Sequence, residues 1–327
     1  TPLPGGILTR VAGRHLRVGT FEYFASRQLT NELKIIADYT INRHYSEANA
    51  SKDTYLTFLE LFAKKQASLI AKWMGVGFIH GVMNTDNTSI SGETIDYGPC
   101  AFMDNYDPST VFSSIDRHGR YAFGNQPQIA QWNLASLAGC LLPLIDNNED
   151  KAKDSVSKII EGFSGIVNSD ISEVMCSKIG LNSNNEKSRE SLKNLLALMK
   201  SSEADYTLAF RYLGDYLNNE NEPSFKELFT NKDEIEHWLL DWLELINTEG
   251  NSKKSIIESM QTINPIYIPR NHLVERAIKA GVNDGDYSVM LNLSLVLETP
   301  YKLQEVDQDY MNPPQPSERV LQTFCGT

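Results

Sequence analysis

The chain has 327 residues, of which 41% are hydrophobic and 22% charged. That is enough apolar content for a sizeable core and one or two domains, with too ordinary a charge content for general disorder. A formal net charge of −12 and a pI near 5.0 argue against the phosphate backbone of nucleic acid as the main partner, while leaving room for a local basic pocket.

No uninterrupted apolar run reaches the roughly 20 residues that a bilayer span needs, so no membrane partner is expected. The four cysteines (Cys100, Cys140, Cys176 and Cys325) form no C-x-x-C pair. This fits a reducing compartment better than a disulfide scaffold. Buried free thiols and a redox pair of Cys100 with Cys325 are both open readings.

In chain order, the start Thr1-Pro2-Leu3-Pro4-Gly5-Gly6 lacks Met and shows no targeting segment, so a true start further upstream is expected. Residues 7–12 are apolar and β-branched and read as a strand or extended segment. Arg10, Arg14 and Arg17 with His15 form a basic patch. It is either solvated surface or an anion site, since Arg suits bidentate phosphate contacts. Residues 21–45 predict a helix, apolar at Phe24, Leu29, Leu33, Ile36 and Ile41. After a polar break, residues 54–74 predict a second helix, with Leu56, Leu59, Phe62, Ala63, Leu69, Ile70 and Trp73 as its buried stripe. It delivers the chain through Gly75-Val76-Gly77-Phe78 to His80.

The next stretch carries the chemistry. His80-Gly81-Val82-Met83-Asn84-Thr85-Asp86-Asn87 is followed by Thr94-Ile95-Asp96-Tyr97-Gly98-Pro99. These are two short clusters of oxygen ligands, joined by residues 88–95, which predict a small hairpin around Gly92. His80 and Asn87 keep the spacing of the protein-kinase catalytic loop H-R-D-x-x-x-x-N, and Asp96-Tyr97-Gly98 can play the part of D-F-G. Val82 occupies the position of the kinase base, and Asp86 is the nearby carboxylate that can replace it. Alternatively, Asn84-Thr85-Asp86-Asn87 forms a turn with Asx hydrogen bonds and Asp96 caps another. His80 reads as structural, bonding the backbone near the loop. Two motifs at compatible spacing, behind a helix and a paired-arginine segment, favour a nucleotide site.

Residues 101–127 are rich in Asp, Ser, Gly, Tyr and Pro and read as a long functional loop. An apolar helix follows from Ile129 through Leu144. Residues 146–150 are the candidate domain boundary, giving a region 1–145 with the loop and Asp-Tyr-Gly motif and a helical region 146–327. Helical periodicity marks residues 155–166, 188–200, 205–217, 233–245 and 255–260. Trp238 and Trp242, one turn apart, read as core. The Pro-rich tail from Tyr301 reads as an extended strap or a mobile end.

With these residues quoted, the chain resembles the SelO/YdiU family. The resemblance is carried by Leu8-Thr9-Arg10-Val11-Ala12, Arg17-Val18-Gly19-Thr20-Phe21-Glu22, both ligand clusters, Tyr106-Asp107-Pro108, Gly119-Arg120-Tyr121, Asn125-Gln126-Pro127, Trp132-Asn133-Leu134, Asn264-Pro265, Pro269-Arg270-Asn271-His272 and the ending Phe324-Cys325-Gly326. It implies a mainly α (α+β overall) protein-kinase-like fold, of which this chain would be the C-lobe with a small catalytic hairpin and a helical C-terminal extension. It implies transfer of AMP from ATP to Ser, Thr or Tyr hydroxyls of proteins, with Mg2+ or Mn2+. Asp86 corresponds to the proton acceptor, Asn87 and Asp96 to the metal ligands, and Arg10, Arg17 and Asp96 to nucleotide contacts. It further implies a bacterial cytoplasmic or eukaryotic mitochondrial setting. The family's N-terminal lobe, with a glycine-rich loop and a Lys–Glu pair, has no counterpart in the seven residues before Leu8. The expectation is therefore a fragment with little activity alone. An orthodox phosphotransferase and a non-catalytic pseudokinase scaffold stand as alternatives.

Overall fold

A computed structural model describes residues 7, 9–13, 15–306 and 308–324; Leu8, Arg14 and Cys325 lie outside them. The molecule is mainly helical. In order it runs α1 (Val18–Ser26), α2 (Thr30–His44), α3 (Thr54–Val76), β1 (Phe78–Ile79), β2 (Ala101–Phe102), α4 (Gln126–Ile145), α5 (Glu149–Lys178), α6 (Glu186–Ser201), α7 (Tyr206–Asn218), α8 (Ser224–Glu227), α9 (Lys232–Thr248), α10 (Lys253–Ile263), α11 (Asn271–Lys279) and α12 (Ser288–Leu297). Polar residues start many of these helices. The side chains of Asn148, Asn185, Asp205, Asn231 and Ser252 each accept a backbone N–H from the first turn of α5, α6, α7, α9 and α10. Gly77 ends α3 at φ +74°, and a Cβ there would come within 2.9 Å of the Tyr206 ring.

Apolar stripes build two principal cores. One gathers Val18, Phe21, Leu33, Phe58, Phe62, Ile70, Leu134, Leu137 and Phe163 from α1–α5. The other gathers Met175, Leu195, Met199, Phe210, Phe225, Trp238, Trp242 and Met260 from the end of α5 through α10. Helix α5 thus serves both, packing its first half on α3 and α4. Trp238 and Trp242 stack at 5.7 Å, and their indole N–H groups donate to the carbonyls of Ser191 and Ile179.

A two-residue antiparallel ribbon lies between these cores. Phe78 pairs with Phe102 and Ile79 with Ala101. Because successive strand residues face opposite ways, Phe78 enters the first core, while Ile79 and Ala101 enter the second.

Four expectations change. The helix over 21–45 is two helices, divided where Gln28 turns to φ +57°. The described residues of 7–12 form no strand; pairing begins at Leu16–Val18 instead, where Ile90 donates to the Leu16 carbonyl at 2.9 Å and Val18 to that of Thr88 at 3.1 Å. Residues 88–95 contain a turn at Gly92 (φ +78°) rather than a hairpin, and the hairpin strands are β1 and β2, outside both ligand clusters. Finally, residues 123–145 form a helix of 23 residues with an 18-residue window of mean hydropathy 1.2, long and apolar enough to cross a membrane. Here they form a core helix packed by α1, α3 and α5; Gln126, Gln131 and Asn133 interrupt the apolar run and hide it from a search for an unbroken one.

Lys178, at the end of α5, is 1% exposed, with its ammonium 4.4 Å from the Phe210 ring centroid. Burial lowers its pKa from 10.5 to about 7. Between those values the unfolded chain holds the proton and the folded one does not, so this group makes stability rise with pH across the window. Lys178→Met is expected to stabilise the fold at pH 7 by about 1–4 kcal/mol and to remove that rise. Urea unfolding at pH 7 and pH 9.5 measures both.

Candidate functional site

The chain between the two strands leaves the ribbon as His80 and returns at Cys100, and its backbone is held by buried side chains. His80 is fully buried. Its Nε2–H donates to the Ile95 carbonyl at 2.8 Å, and its Nδ1 accepts the Val82 N–H at 3.4 Å. A carbonyl can only accept and an amide N–H can only donate, so the neutral Nε2–H tautomer satisfies both contacts. Burial pushes the His80 pKa down, which agrees with a neutral ring. One side chain thereby ties the two ligand clusters together, in the structural role expected of it.

The rest of the frame comes from the helices. Gln126, at the start of α4, accepts the His80 N–H at 3.0 Å and donates to the Phe78 carbonyl at 3.0 Å. Asn133, about two turns further along the same face of α4, donates to the Met83 carbonyl at 2.9 Å. From α3, Gln66 donates to the Ser89 carbonyl at 3.0 Å and Trp73 to Thr94 Oγ1 at 2.8 Å; Tyr45 donates to the Ile90 carbonyl at 2.6 Å. In the sequence Gln126 and Asn133 stand out only as members of the Asn125-Gln126-Pro127 and Trp132-Asn133-Leu134 segments, with no role attached, and Gln66 does not stand out. The available signal was a polar residue recurring on an apolar helical face, as with Gln126 and Asn133 in α4.

Within this frame Thr85–Asn87 form one 3-10 turn. Asp86 is exposed and Asn87 half-buried. The Asp86 carboxylate lies over Gly19 in the first turn of α1, so close that a Cβ on Gly19 would collide with Oδ1. Only glycine admits this approach, and the helix N-terminus favours the negative charge. The same edge carries Arg17, whose backbone bridges to Ser89. Its Nε is buried without a hydrogen-bond partner among the described residues.

Asp96 stands at φ +59°, a left-handed conformation that Asp and Asn tolerate better than most residues. Its half-buried carboxylate makes no hydrogen bond or ion pair among the described residues. Asn87 Nδ2 donates to the Val82 carbonyl at 3.1 Å, which leaves Oδ1 as the atom available to a cation. No cluster of three His, Cys, Asp or Glu suited to a metal exists among the described residues. One carboxylate plus one amide oxygen is instead the sparse donor set that Mg2+ accepts when substrate phosphates and water complete its shell. The residues therefore fit that ion.

The structure brings Asp86, Asn87 and Arg17 together and connects Asp96 to them through His80. Arg10 is exposed in an extended segment, tied near the loop by the Gly13 N–H donating to Glu93 Oε2 at 2.9 Å. Cys140 and Cys176 are buried free thiols, and Cys100 is a half-buried one pushed up to about 11 by burial. Cys325 lies outside the described residues.

Downstream, Asn271 grips Phe102 from both sides, accepting its N–H at 3.2 Å and donating to its carbonyl at 2.9 Å. Arg270 is 0% exposed; it bonds Asp104 at 2.8 Å, Asp205 at 2.8 and 3.2 Å, and the Met311 carbonyl at 2.9 Å. The segment leaving β2 is thus fastened to α7, α11 and the tail by one guanidinium.

The family model described as Protein adenylyltransferase SelO matches residues 1–298. A protein from Maridesulfovibrio salexigens named protein nucleotidyltransferase YdiU is 52% identical over 325 residues, covering 99% of this chain and 66% of that protein. Proteins of the same name from Rhizobium rhizogenes and Bacillus mycoides are each 49% identical, covering 99% and 100% of this chain and 65% and 66% of their own lengths. The chain spans just under two thirds of the curated relatives it matches.

Proposed function

The chain belongs to the SelO family, and from that premise we propose that the protein transfers AMP from ATP to Ser, Thr or Tyr hydroxyls of other proteins, on a kinase-like fold and with Mg2+. The observation that supports this most is the pairing of residues 16–18 with 88–90, which sets Arg17 and the Gly19 approach beside Asp86 and Asn87.

In this reading the acceptor hydroxyl oxygen attacks the α-phosphorus of ATP. The bond to the β-phosphate oxygen breaks, and pyrophosphate leaves. Asp86 orients the hydroxyl and takes its proton. Its place over Gly19 in the first turn of α1 keeps it aimed. Arg17 and Arg10 neutralise charge on the phosphates, Arg17 through a guanidinium whose Nε has no hydrogen-bond partner among the described residues. Mg2+ would be held by Asp96 and the Asn87 amide oxygen, where it would neutralise phosphate charge. Positioning and electrostatics supply most of the rate, as is general for phosphoryl chemistry.

ATP labelled separately at the α- or γ-phosphate tests the reading with the full-length protein. Label on protein from the α-phosphate alone is expected. Label from the γ-phosphate alone would establish an orthodox phosphotransferase, and none from either a scaffold. Gly19→Ala adds a finer probe. Alanine is helix-compatible, but its Cβ displaces the Asp86 carboxylate. ATP affinity and melting temperature should stay near wild type, while the transfer rate falls roughly 10- to 100-fold. An unchanged rate would remove Asp86 from the mechanism.

A further inference from the structure

A groove of about 960 Å³ opens between α11 with the turn after it and the tail residues 317–324. Three observations bear on its occupant.

The first is its floor. His272 is 7% exposed, lines the groove, and has a buried Nδ1 with no hydrogen-bond partner among the described residues. A polar atom left so is costly unless something meets it. The second is the far wall. Among the described residues, the backbone of residues 319–322 makes no hydrogen bond, while Thr323, next in line, pairs with Phe112 and Ser114. This is an edge whose backbone donors and acceptors are unspent among the described residues. The third is charge. Arg276 is engaged by Glu318 at 3.2 Å and Asp309 at 3.6 Å, and Lys279 by Glu275 at 3.9 Å. Asp284 and Arg319 add one further charge of each sign to the lining, so its acids and bases balance, which disfavours a small anion or a metal ion and suits a neutral ligand rich in hydrogen-bonding groups. Exposed Leu321 and Phe324 add apolar contacts in the groove.

The tail that forms one wall is also fastened beside the candidate site. There Thr323 Oγ1 donates to the Pro99 carbonyl at 2.5 Å, three residues from Asp96. The floor residue, His272, adjoins Asn271, which holds β2.

We propose that this groove docks an extended segment of the acceptor protein, which adds its backbone to the edge at residues 319–322 and a hydrogen-bonding side chain to His272, and so carries a neighbouring hydroxyl toward Asp86. This rests on the transfer reading above. Backbone pairing of this kind gives affinity with little sequence preference, and the apolar rim supplies the selection.

The test uses the full-length protein and a fluorescent unfolded acceptor, reduced and carboxymethylated lactalbumin. Binding and labelling from α-labelled ATP are both measured. His272→Ala removes the floor contact, and the double variant Leu321→Asp with Phe324→Asp alters only exposed side chains and so cannot fail by misfolding of a core. Both are expected to weaken acceptor binding at least tenfold, with ATP affinity unchanged. Wild-type acceptor binding in the folded variants, or no binding by wild type, overturns the groove and leaves the transfer reading standing. Groove-dependent binding with no label from the α-phosphate overturns the transfer reading and leaves the groove standing.

Discussion

Asp96→Asn is expected to abolish Mg2+-dependent ATP binding and to lower AMP transfer by roughly 10²–10³-fold, while the fold survives. Asparagine is the informative replacement because residue 96 sits at φ +59°. Asn tolerates that conformation nearly as well as Asp, whereas Ala adds a backbone penalty of about 1 kcal/mol or more. The carboxylate makes no hydrogen bond or ion pair among the described residues, so neutralising it removes no structural bond. What remains, on the proposed reading, is loss of the charge that would hold Mg2+. Calorimetric titration of ATP with and without Mg2+, beside a thermal melt, separates the two effects. Unchanged affinity in both conditions would show that Asp96 holds no metal. Asp96→Ala should behave alike toward nucleotide but melt a little lower.

The largest effect on stability is expected at Arg270. Its guanidinium is the only cation bonded to Asp104 and Asp205 among the described residues. Arg270→Met keeps much of the volume and leaves the buried Asp205 carboxylate and the half-buried Asp104 carboxylate without their cation. A buried pair broken on one side costs about 3–5 kcal/mol, and here three hydrogen bonds to carboxylates and one to the Met311 carbonyl go at once.

The pH dependence identifies the cause. Burial already raises the Asp104 pKa against the pull of Arg270, and removing the arginine raises it further. The folded variant then binds protons more readily than the unfolded chain, so its stability falls as pH rises through the carboxylate range and recovers as pH falls. The gap to wild type should therefore narrow between pH 7 and pH 5 in urea melts. A constant gap would mean that the loss is one of packing.

The helices with regular apolar stripes were the legible part of the fold. In α3, Leu59, Phe62, Ala63, Ile70 and Trp73 fall on one buried face and can be read off at helical spacing. Trp238 and Trp242 could be read as core for the same reason. The break after α1 was not legible, because it turns on a glutamine in a left-handed conformation and Gln carries no such signal. Nor was the ribbon, since two residues per strand are too few to show a period.

At the site, the acidic clusters are visible as residues, but the frame that holds them is not. His80 meets Gln126 across 46 positions, and Phe102 meets Asn271 across 169. Bonds between a side chain and a distant backbone leave no local pattern. Only the fold makes Gln126 and Asn133 more than polar interruptions of an apolar helix.

The ribbon between the two cores has a final consequence. Phe78 and Ile79 are covalent neighbours, yet each is buried in a different core, and the chain that bears Asp86 and Asp96 hangs between their strand and its partner. Loosening either core therefore slackens the same two strands. A substitution far from any charged group, deep in α9 or in α2, can reach the acidic clusters without touching a residue of the loop. Neutral drift in either half is constrained by the other, and the loop inherits the tolerance of whichever half is weaker.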